Sequence, residues 1–284
     1  MRVKPLLIYE KRFFFGHETI EKMTARLTQN EIERYSRQIM IPDFGGKGQI
    51  RLCQGRALVI GAGGLGSPAA LYLAAAGVGV LGLIDGDRVE LSNLQRQILH
   101  STADLGRMKV ESAAEKLDRL NAEVAVRTYA LRLDANNVAE IFADYDFIVD
   151  GSDNFETKFL VNDAAVALGK AFSHAGIVRL QGQTMTVVPH KSACYRCVFQ
   201  EPPAPGEIMN CQQAGILGAV AGVLGSIQAI EAIKYLAGMD EDLLTDRVLT
   251  YDAKRMNFRT IEVRRNSACA ACGDKAERRS HELR

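Results

Sequence analysis

The sequence predicts an α/β fold: a Rossmann-like, doubly wound, mostly parallel sheet continued by a C-terminal antiparallel strand region. Three observations predict it. Short apolar runs alternate with segments of helical periodicity in the N-terminal part of the chain. A glycine-rich turn, Gly61-Ala62-Gly63-Gly64-Leu65-Gly66, separates the first apolar run from an Ala-rich segment. Beyond His174 the pattern changes to strand-like segments interrupted by a Pro-rich loop.

Ala57 to Ile60 is all apolar, as a strand buried on both faces of a parallel sheet requires. Pro68 to Ala76 is the helix that follows, and Val80 to Ile84 is a second buried strand. Residues 107 to 120 hold Val110, Ala113, Ala114, Leu117 and Leu120 at helical spacing. Val124 to Thr128 alternates like a strand. Phe147-Ile148-Val149 is a strand that delivers Asp150-Gly151-Ser152-Asp153-Asn154 to its C-terminal edge. Residues 155 to 168 are helical and Ala171 to His174 form another strand. Doubly wound sheets bind ligands at the carboxyl ends of their strands, where Gly61, Asp85 and Asp153 all fall.

Gln183 to Val188, Arg247 to Tyr251 and Arg259 to Val263 are predicted strands. The loop Glu201-Pro202-Pro203-Ala204-Pro205-Gly206 is expected to be exposed and mobile. Residues 215 to 237 are long enough to span a bilayer, but Gln228, Glu231 and Lys234 interrupt the stretch. A buried helix is expected instead, with Gly218, Gly222 and Gly225 letting another backbone come close. Residues 1–23 form an N-terminal extension that is disordered or precedes a true start at Met23. Residues 24–275 form one domain, and 276–284 a charged tail.

The composition, 47% apolar and 24% charged with a net charge of +1, suits a soluble globular protein. It makes no electrostatic case for nucleic acid or a membrane surface. Of six cysteines, four form two C-x-x-C pairs: Cys194 with Cys197, and Cys269 with Cys272. In a large α/β chain such pairs are better metal ligands in a reducing cytoplasm than a disulfide framework.

Gly61, Gly63 and Gly66 fit G-x-G-x-x-G between a strand and a helix. Missing side chains let the backbone approach phosphate oxygens, and the helix N-terminus adds partial positive charge. Asp85, 24 residues on, is placed to hold ribose hydroxyls. A tight turn that binds nothing is the bland alternative. Arg96, and Lys109 13 residues further, bring cations of the kind needed when charge redistributes on phosphates. Asn93 and Gln95 add neutral polar groups. Singly, each cation is more simply a solvated surface charge; the group carries the inference. Asp153 suits Mg²⁺, or caps the next helix together with Asn154.

Arg34-Tyr35-Ser36-Arg37-Gln38, Gly61 to Gly66, Asp85-Gly86-Asp87, Ser92-Asn93-Leu94-Gln95-Arg96, Lys109 and Asp150 to Asn154 resemble the MoeB/ThiF/HesA family, bacterial relatives of ubiquitin-activating enzymes. The similarity runs from about Leu27 to Gly273. It implies ATP-dependent adenylation of the Gly-Gly carboxylate of a small ubiquitin-like sulfur carrier, of molybdopterin or thiamine type, with release of pyrophosphate. By the resemblance, Gly64 contacts the nucleotide and Asp85 holds the ribose. Asn93, Arg96 and Lys109 act on the phosphates, and Ser92, Asn93, Leu94, Gln95 and Arg96 form a nucleotide-binding block. Asp153 handles Mg²⁺ with Asn154 beside it. Arg37 is similar to an arginine that reaches into a partner subunit's site, implying a homodimer; otherwise it is an exposed charge on an amphipathic helix.

Four thiolates, Cys194, Cys197, Cys269 and Cys272, suit tetrahedral Zn²⁺ with no open catalytic position. The 71 residues between the pairs exceed a compact zinc ribbon, and the family also carries such a site. Cys211 resembles the cysteine that in some ThiF-type members joins the carrier through an acyl-persulfide; in MoeB-type members a cysteine there has no essential role. Both readings stand. Cys53 is expected as a small core residue. His174 is expected as a satisfied core group and His190 in a turn, neither with a role. No rhodanese-like extension follows residue 284, so a separate sulfur donor protein is expected. A nicotinamide-dependent oxidoreductase using the same glycine loop is the alternative, and a non-catalytic scaffold a third; Arg96 and Lys109 disfavour both.

Overall fold

The computed structural model describes residues 27–204 and 214–274. The expected N-terminal extension, the charged tail and the tip of the Pro-rich loop lie outside these residues. Thr28 opens the described helices as a capping box: its hydroxyl accepts from the Glu31 N–H, and the Glu31 carboxylate accepts from the Thr28 N–H. Three helices follow, α1 (Gln29–Arg34), α2 (Ser36–Ile39) and α3 (Gly45–Gln54).

The alternation then runs as expected: β1 (Arg56–Ile60), α4 (Gly66–Ala76), β2 (Val80–Ile84), α5 (Lys109–Leu120), β3 (Ala125–Tyr129), α6 (Val138–Ala143), β4 (Phe147–Asp150), α7 (Phe155–Leu168) and β5 (Ala171–Val178). The remainder is β6 (Gln181–Val187), α8 (Tyr195–Val198), α9 (Gly218–Ala237), β7 (Arg247–Asp252) and β8 (Asn257–Glu262). The strands join one eight-stranded sheet in the order β3-β2-β1-β4-β5-β6-β7-β8. Pairing is parallel from β3 to β5 and antiparallel from β5 to β8.

Why β1 lies at the centre of the five parallel strands is legible in its side chains. Ala57 and Val59 enter one core layer with Leu73, Leu81, Leu117 and Phe147. Leu58 and Ile60 enter the other with Phe142, Tyr145, Ile148 and Phe172. Each fully buried leucine or phenylalanine contributes about 1.5–3 kcal/mol from removal of apolar surface from water. The strand order reverses between β1 and β4, and the loops leaving their carboxyl ends diverge into a crevice there.

Two boundaries depart from the sequence reading by three residues or more. β5 continues past His174 to Val178 because it pairs with β6 over its whole length. The apolar helix begins at Gly218 rather than Gly215, where a positive φ of 78° breaks the helical path. α9 is long and apolar enough to cross a membrane, yet it packs on α3, α4 and strands β4 to β6. A Cβ at Gly225 would stand 2.3 Å from the Leu65 carbonyl oxygen, and one at Gly218 2.4 Å from that of Gln95. Gly222 has nothing within 4 Å and admits no close approach, contrary to expectation.

Gly66 begins α4, and a Cβ there would fall 1.7 Å from the Gly61 carbonyl oxygen. Gly66→Ala is expected to destabilise the protein by at least about 3 kcal/mol, because rigid backbone cannot yield. Gly222→Ala should instead stabilise by about 0.5–1 kcal/mol through helix propensity. Urea unfolding of both variants checks the pair; equal effects would refute the packing account.

Candidate functional site

The loop after β1 turns sharply at Gly61, whose φ is +84° and whose N–H donates to the Ile84 carbonyl at 2.8 Å. The chain reaches α4 five residues later, and Gly61, Gly63, Gly64 and Leu65 line the crevice between β1 and β4. Asp85, at the end of β2, accepts the Ala62 N–H at 2.9 Å and the Asp87 N–H at 2.8 Å. Burial raises its pKa, while the nearby Lys109 opposes that shift. Lys109 is the first residue of α5 and is itself buried. Its Nζ lies 3.1 Å from Asp87 Oδ2 and 3.9 Å from Asp85 Oδ2. Burial pushes the Asp87 carboxyl up, but bonding and attraction to Lys109 outweigh it and hold the carboxyl low.

Ser92 to Arg96 divides its labour. Leu91–Asn93 is a 3₁₀ turn, and Asn93 caps it by accepting the Glu90 N–H at 3.3 Å. The Arg96 guanidinium donates to the Ser92 carbonyl at 3.0 Å, and its stem lies against Gly64. Gly218 of α9 packs on the Gln95 and Arg96 backbone. One cavity of about 1770 Å³ is lined by Gly61, Gly63, Gly64, Asp85, Arg96, Lys109, Asp153 and Asn154. Gly66, Ser92, Asn93, Leu94 and Gln95 do not line it. They shape the turns that present the residues that do.

Asn154, not Asp153, caps α7: its side chain accepts the Thr157 N–H at 2.8 Å. Asp153 makes no hydrogen bond or ion pair among the described residues and stands exposed on the cavity wall. Just behind it, buried Asp150 holds the loop, accepting from the Ser152 N–H at 3.0 Å and the Ser152 hydroxyl at 2.5 Å. Lys158 Nζ lies 3.2 Å and His174 Nδ1 3.1 Å from its other oxygen. Burial would raise the Asp150 pKa; the Lys158 charge and the His174 hydrogen bond hold it far below the carboxylate range. Burial, then the Lys158 charge, lowers the His174 pKa to about 4. His174 is thus only half satisfied, a correction to its expected role: it lines the cavity and its Nε2 has no hydrogen-bond partner.

Two residues at the glycine loop escaped sequence reasoning. Gln97 is buried, lines the cavity beside Gly63, and leaves its Oε1 without a partner. His100 is buried between Ser112 and the Ala62 carbonyl. Nothing in the sequence separates Gln97 from Gln95, because only the path of the turn decides which faces the cavity. Arg37 is exposed on α2 and does not line the cavity of its own chain. Cys211 lies outside the described residues. Cys53 is half-buried and accepts a hydrogen bond from Gln49 at 3.4 Å. His190 sits in a turn as expected.

The four paired cysteines converge. Their Sγ atoms all lie within 4.8 Å of one another, with Cys194–Cys197 at 3.9 Å, Cys194–Cys269 at 3.6 Å and Cys197–Cys272 at 3.4 Å. These separations are far longer than an S–S bond of about 2.05 Å. They match the edge of about 3.8 Å that four sulfurs make when each is about 2.3 Å from a tetrahedral metal. Hydrogen bonds from Cys194 and Cys197 hold the Cys272 thiol low, whereas its bond to Cys272 and burial push Cys194 up. Such mutual opposition is what a shared cation relieves. The cluster can hold a metal that ties the C-terminal segment to α8.

The chain is similar to several characterised proteins. It is 45% identical over 259 residues to the sulfur carrier protein adenylyltransferase of Thermus thermophilus, covering 89% of this chain and 95% of that one. It is 46% identical over 253 residues to the SAMP-activating enzyme E1 of Haloferax volcanii, covering 89% and 93%. The adenylyltransferase and sulfurtransferase MOCS3 of Culex quinquefasciatus is 45% identical, and the chain spans 57% of its length. Among solved structures, E. coli MccB with AMPCPP and MccA superposes with a TM-score of 0.76 at 25% identity, over 87% of this chain and 75% of that one. The family model described as the ThiF family matches residues 35–271, and the chain belongs to that family.

Proposed function

We propose that the protein is an adenylyltransferase that activates the terminal Gly-Gly carboxylate of a ubiquitin-like sulfur carrier with ATP, releasing pyrophosphate and priming sulfur transfer. One observation carries the reading: the glycine loop, Arg96, Lys109 and an uncommitted Asp153 line a single cavity, in a chain with close sulfur-carrier adenylyltransferase relatives. No observation favours the nicotinamide-dependent alternative.

The geometry suits this chemistry. A carboxylate is already nucleophilic at neutral pH, so attack on the α-phosphate needs positioning and charge neutralisation rather than a general base. The free N–H groups of the glycine loop and the α4 N-terminus receive phosphate oxygens. Asp85 accepts ribose hydroxyls. Arg96 and Lys109 offset the charge that develops on the departing pyrophosphate. Asp153 is the carboxylate that would hold Mg²⁺, which supplies further neutralisation of the phosphate oxygens. The cavity exceeds the roughly 300–1,000 Å³ of a small-molecule pocket, which leaves room for a carrier tail beside the nucleotide. Its far end is lined by Gly182, Gln183 and Tyr251 of the antiparallel strands.

Arg37, with exposed Met40 and Ile41 nearby, is assigned to a homodimer contact that completes the partner's cavity. The cysteine cluster is assigned to structural Zn²⁺, and thiolate ligands fit a cytoplasmic setting. Sulfur is assigned to a separate donor protein.

Exchange of labelled pyrophosphate into ATP should depend on a carrier ending in Gly-Gly. Arg96→Ala should slow that exchange by about 10²–10³-fold with the folded state intact. No exchange with any such carrier would end the proposal, and a matching loss of thermal stability would remove Arg96 from the chemistry. Elemental analysis should find one zinc per chain, as four ligands require. Cys194→Ser should release it and lower the melting temperature; a metal-free protein of unchanged stability would dismiss the site.

A further inference from the structure

His100 lies behind the glycine loop rather than in front of it. It is 6% exposed, follows the Leu91–Asn93 turn, and belongs to none of the groups invoked so far. Its Nε2 is 2.9 Å from the Ala62 carbonyl oxygen, and its Nδ1 is 3.0 Å from Ser112 Oγ. A carbonyl only accepts, so the proton must sit on Nε2 and Nδ1 must be the acceptor.

The surroundings enforce that tautomer. Lys116 Nζ donates to Ser112 Oγ at 2.9 Å, so the hydroxyl proton is left to point at His100 Nδ1. Lys116 is anchored in turn by Asp104, which also accepts from Arg107 and from the Ser101 hydroxyl. A directed chain of hydrogen bonds therefore runs from Asp104 through Lys116, Ser112 and His100 to the first peptide of the glycine loop. Burial lowers the His100 pKa; the hydrogen bond to the Ala62 carbonyl opposes that shift, the positive charges of Lys116 and Lys109 add to it, and Asp104 opposes it more weakly.

Ala62 is gripped at both ends. Asp85 takes its N–H at 2.9 Å and His100 takes its carbonyl. In a planar trans peptide the carbonyl and the following N–H point in opposite directions. Drawing the Ala62 carbonyl back toward α5 therefore turns the Gly63 N–H forward, into the cavity that Gly63 lines. The N–H groups of Gly63 and Gly64 donate to nothing among the described residues. Buried or cavity-facing donors left unpaired are costly unless a ligand takes them.

We propose that His100 is a positioning residue for the nucleotide: it holds the Ala62–Gly63 peptide so that the Gly63 N–H meets a phosphate oxygen. The inference rests on the adenylation reading and adds to it a residue that never touches the substrate. His100→Leu removes the donor and keeps the bulk. His100→Gln restores a donor at the Nε2 reach and an acceptor for Ser112. Binding of Mg-ATP is measured by calorimetry, without any carrier, on wild type and both variants. His100→Leu should weaken binding by about tenfold or more, as loss of a positioned hydrogen bond implies. His100→Gln should stay within about threefold of wild type. In pyrophosphate exchange the KM for ATP should rise while the KM for the carrier holds.

Folded His100→Leu protein with wild-type ATP affinity would overturn the proposal, as would a His100→Gln variant as weak as His100→Leu. Should His100→Leu fail to fold, the imidazole ¹⁵N shifts of wild-type protein decide, with His100→Gln assigning the resonance. A neutral ring protonated at Nε2 upholds the clamp, and one protonated at Nδ1 refutes it. Wild type that binds no ATP would sink the adenylation reading itself, and this inference with it.

Discussion

A carbonyl oxygen facing the first residue of a helix governs this molecule. The Gly61 carbonyl and Gly66 approach so closely that no side chain fits between them. That contact sets how tightly the chain turns from β1 into α4, and thus where the loop's N–H groups point. Gly225 repeats the device one layer out, seating α9 on the Leu65 carbonyl. Gly218 then brings the start of α9 against Gln95 and Arg96. Arg96 is held in register with the glycine loop by backbone packing rather than by a salt bridge among the described residues.

Charge is buried around this frame, and each buried charge is met by another. Asp85 and Asp87 face Lys109; Asp150 faces Lys158 and His174; Asp104 faces Lys116 and Arg107. Removing one member of such a set leaves an uncompensated charge and costs more than the pair contributes. The sets also share a location. Each sits at the carboxyl end of a parallel strand or beside the loop that leaves it, where anionic phosphates would alter the local balance. Exposed Asp153 stands beside the fully paired Asp150 and has no partner among the described residues.

The antiparallel extension divides the cavity by chemistry. Parallel strands β1, β2 and β4 end in glycines and charged groups, whereas the antiparallel strands add Gly182, Gln183, Thr250 and Tyr251 together with the charged Asp252 and Arg259. A hairpin between β5 and β6 reverses the chain direction, so the sheet continues without another crossover helix. The four converging cysteines bring the chain beyond β8 up to α8.

What sequence determined is what depends on local pattern. Apolar runs of strand length, helical spacing in α5 and α7, the glycine turn and the paired thiols are periodicities and short spacings, readable without knowing any contact. The fold class, the strand positions and the cysteine quartet followed from them. Tertiary structure decided what depends on direction. Ser92 to Arg96 reads as one polar block, yet the turn sends Arg96 to the cavity and Asn93 into a cap. Capping α7 is the alternative role of Asp153 in the sequence, with Asn154 beside it, and the backbone puts Asn154 at the cap. His100 and Gln97 were invisible because a residue's partner across 38 positions, such as Ala62 for His100, is set by how helices stack on the sheet. Composition names the groups available; only the packed backbone states which way each one faces.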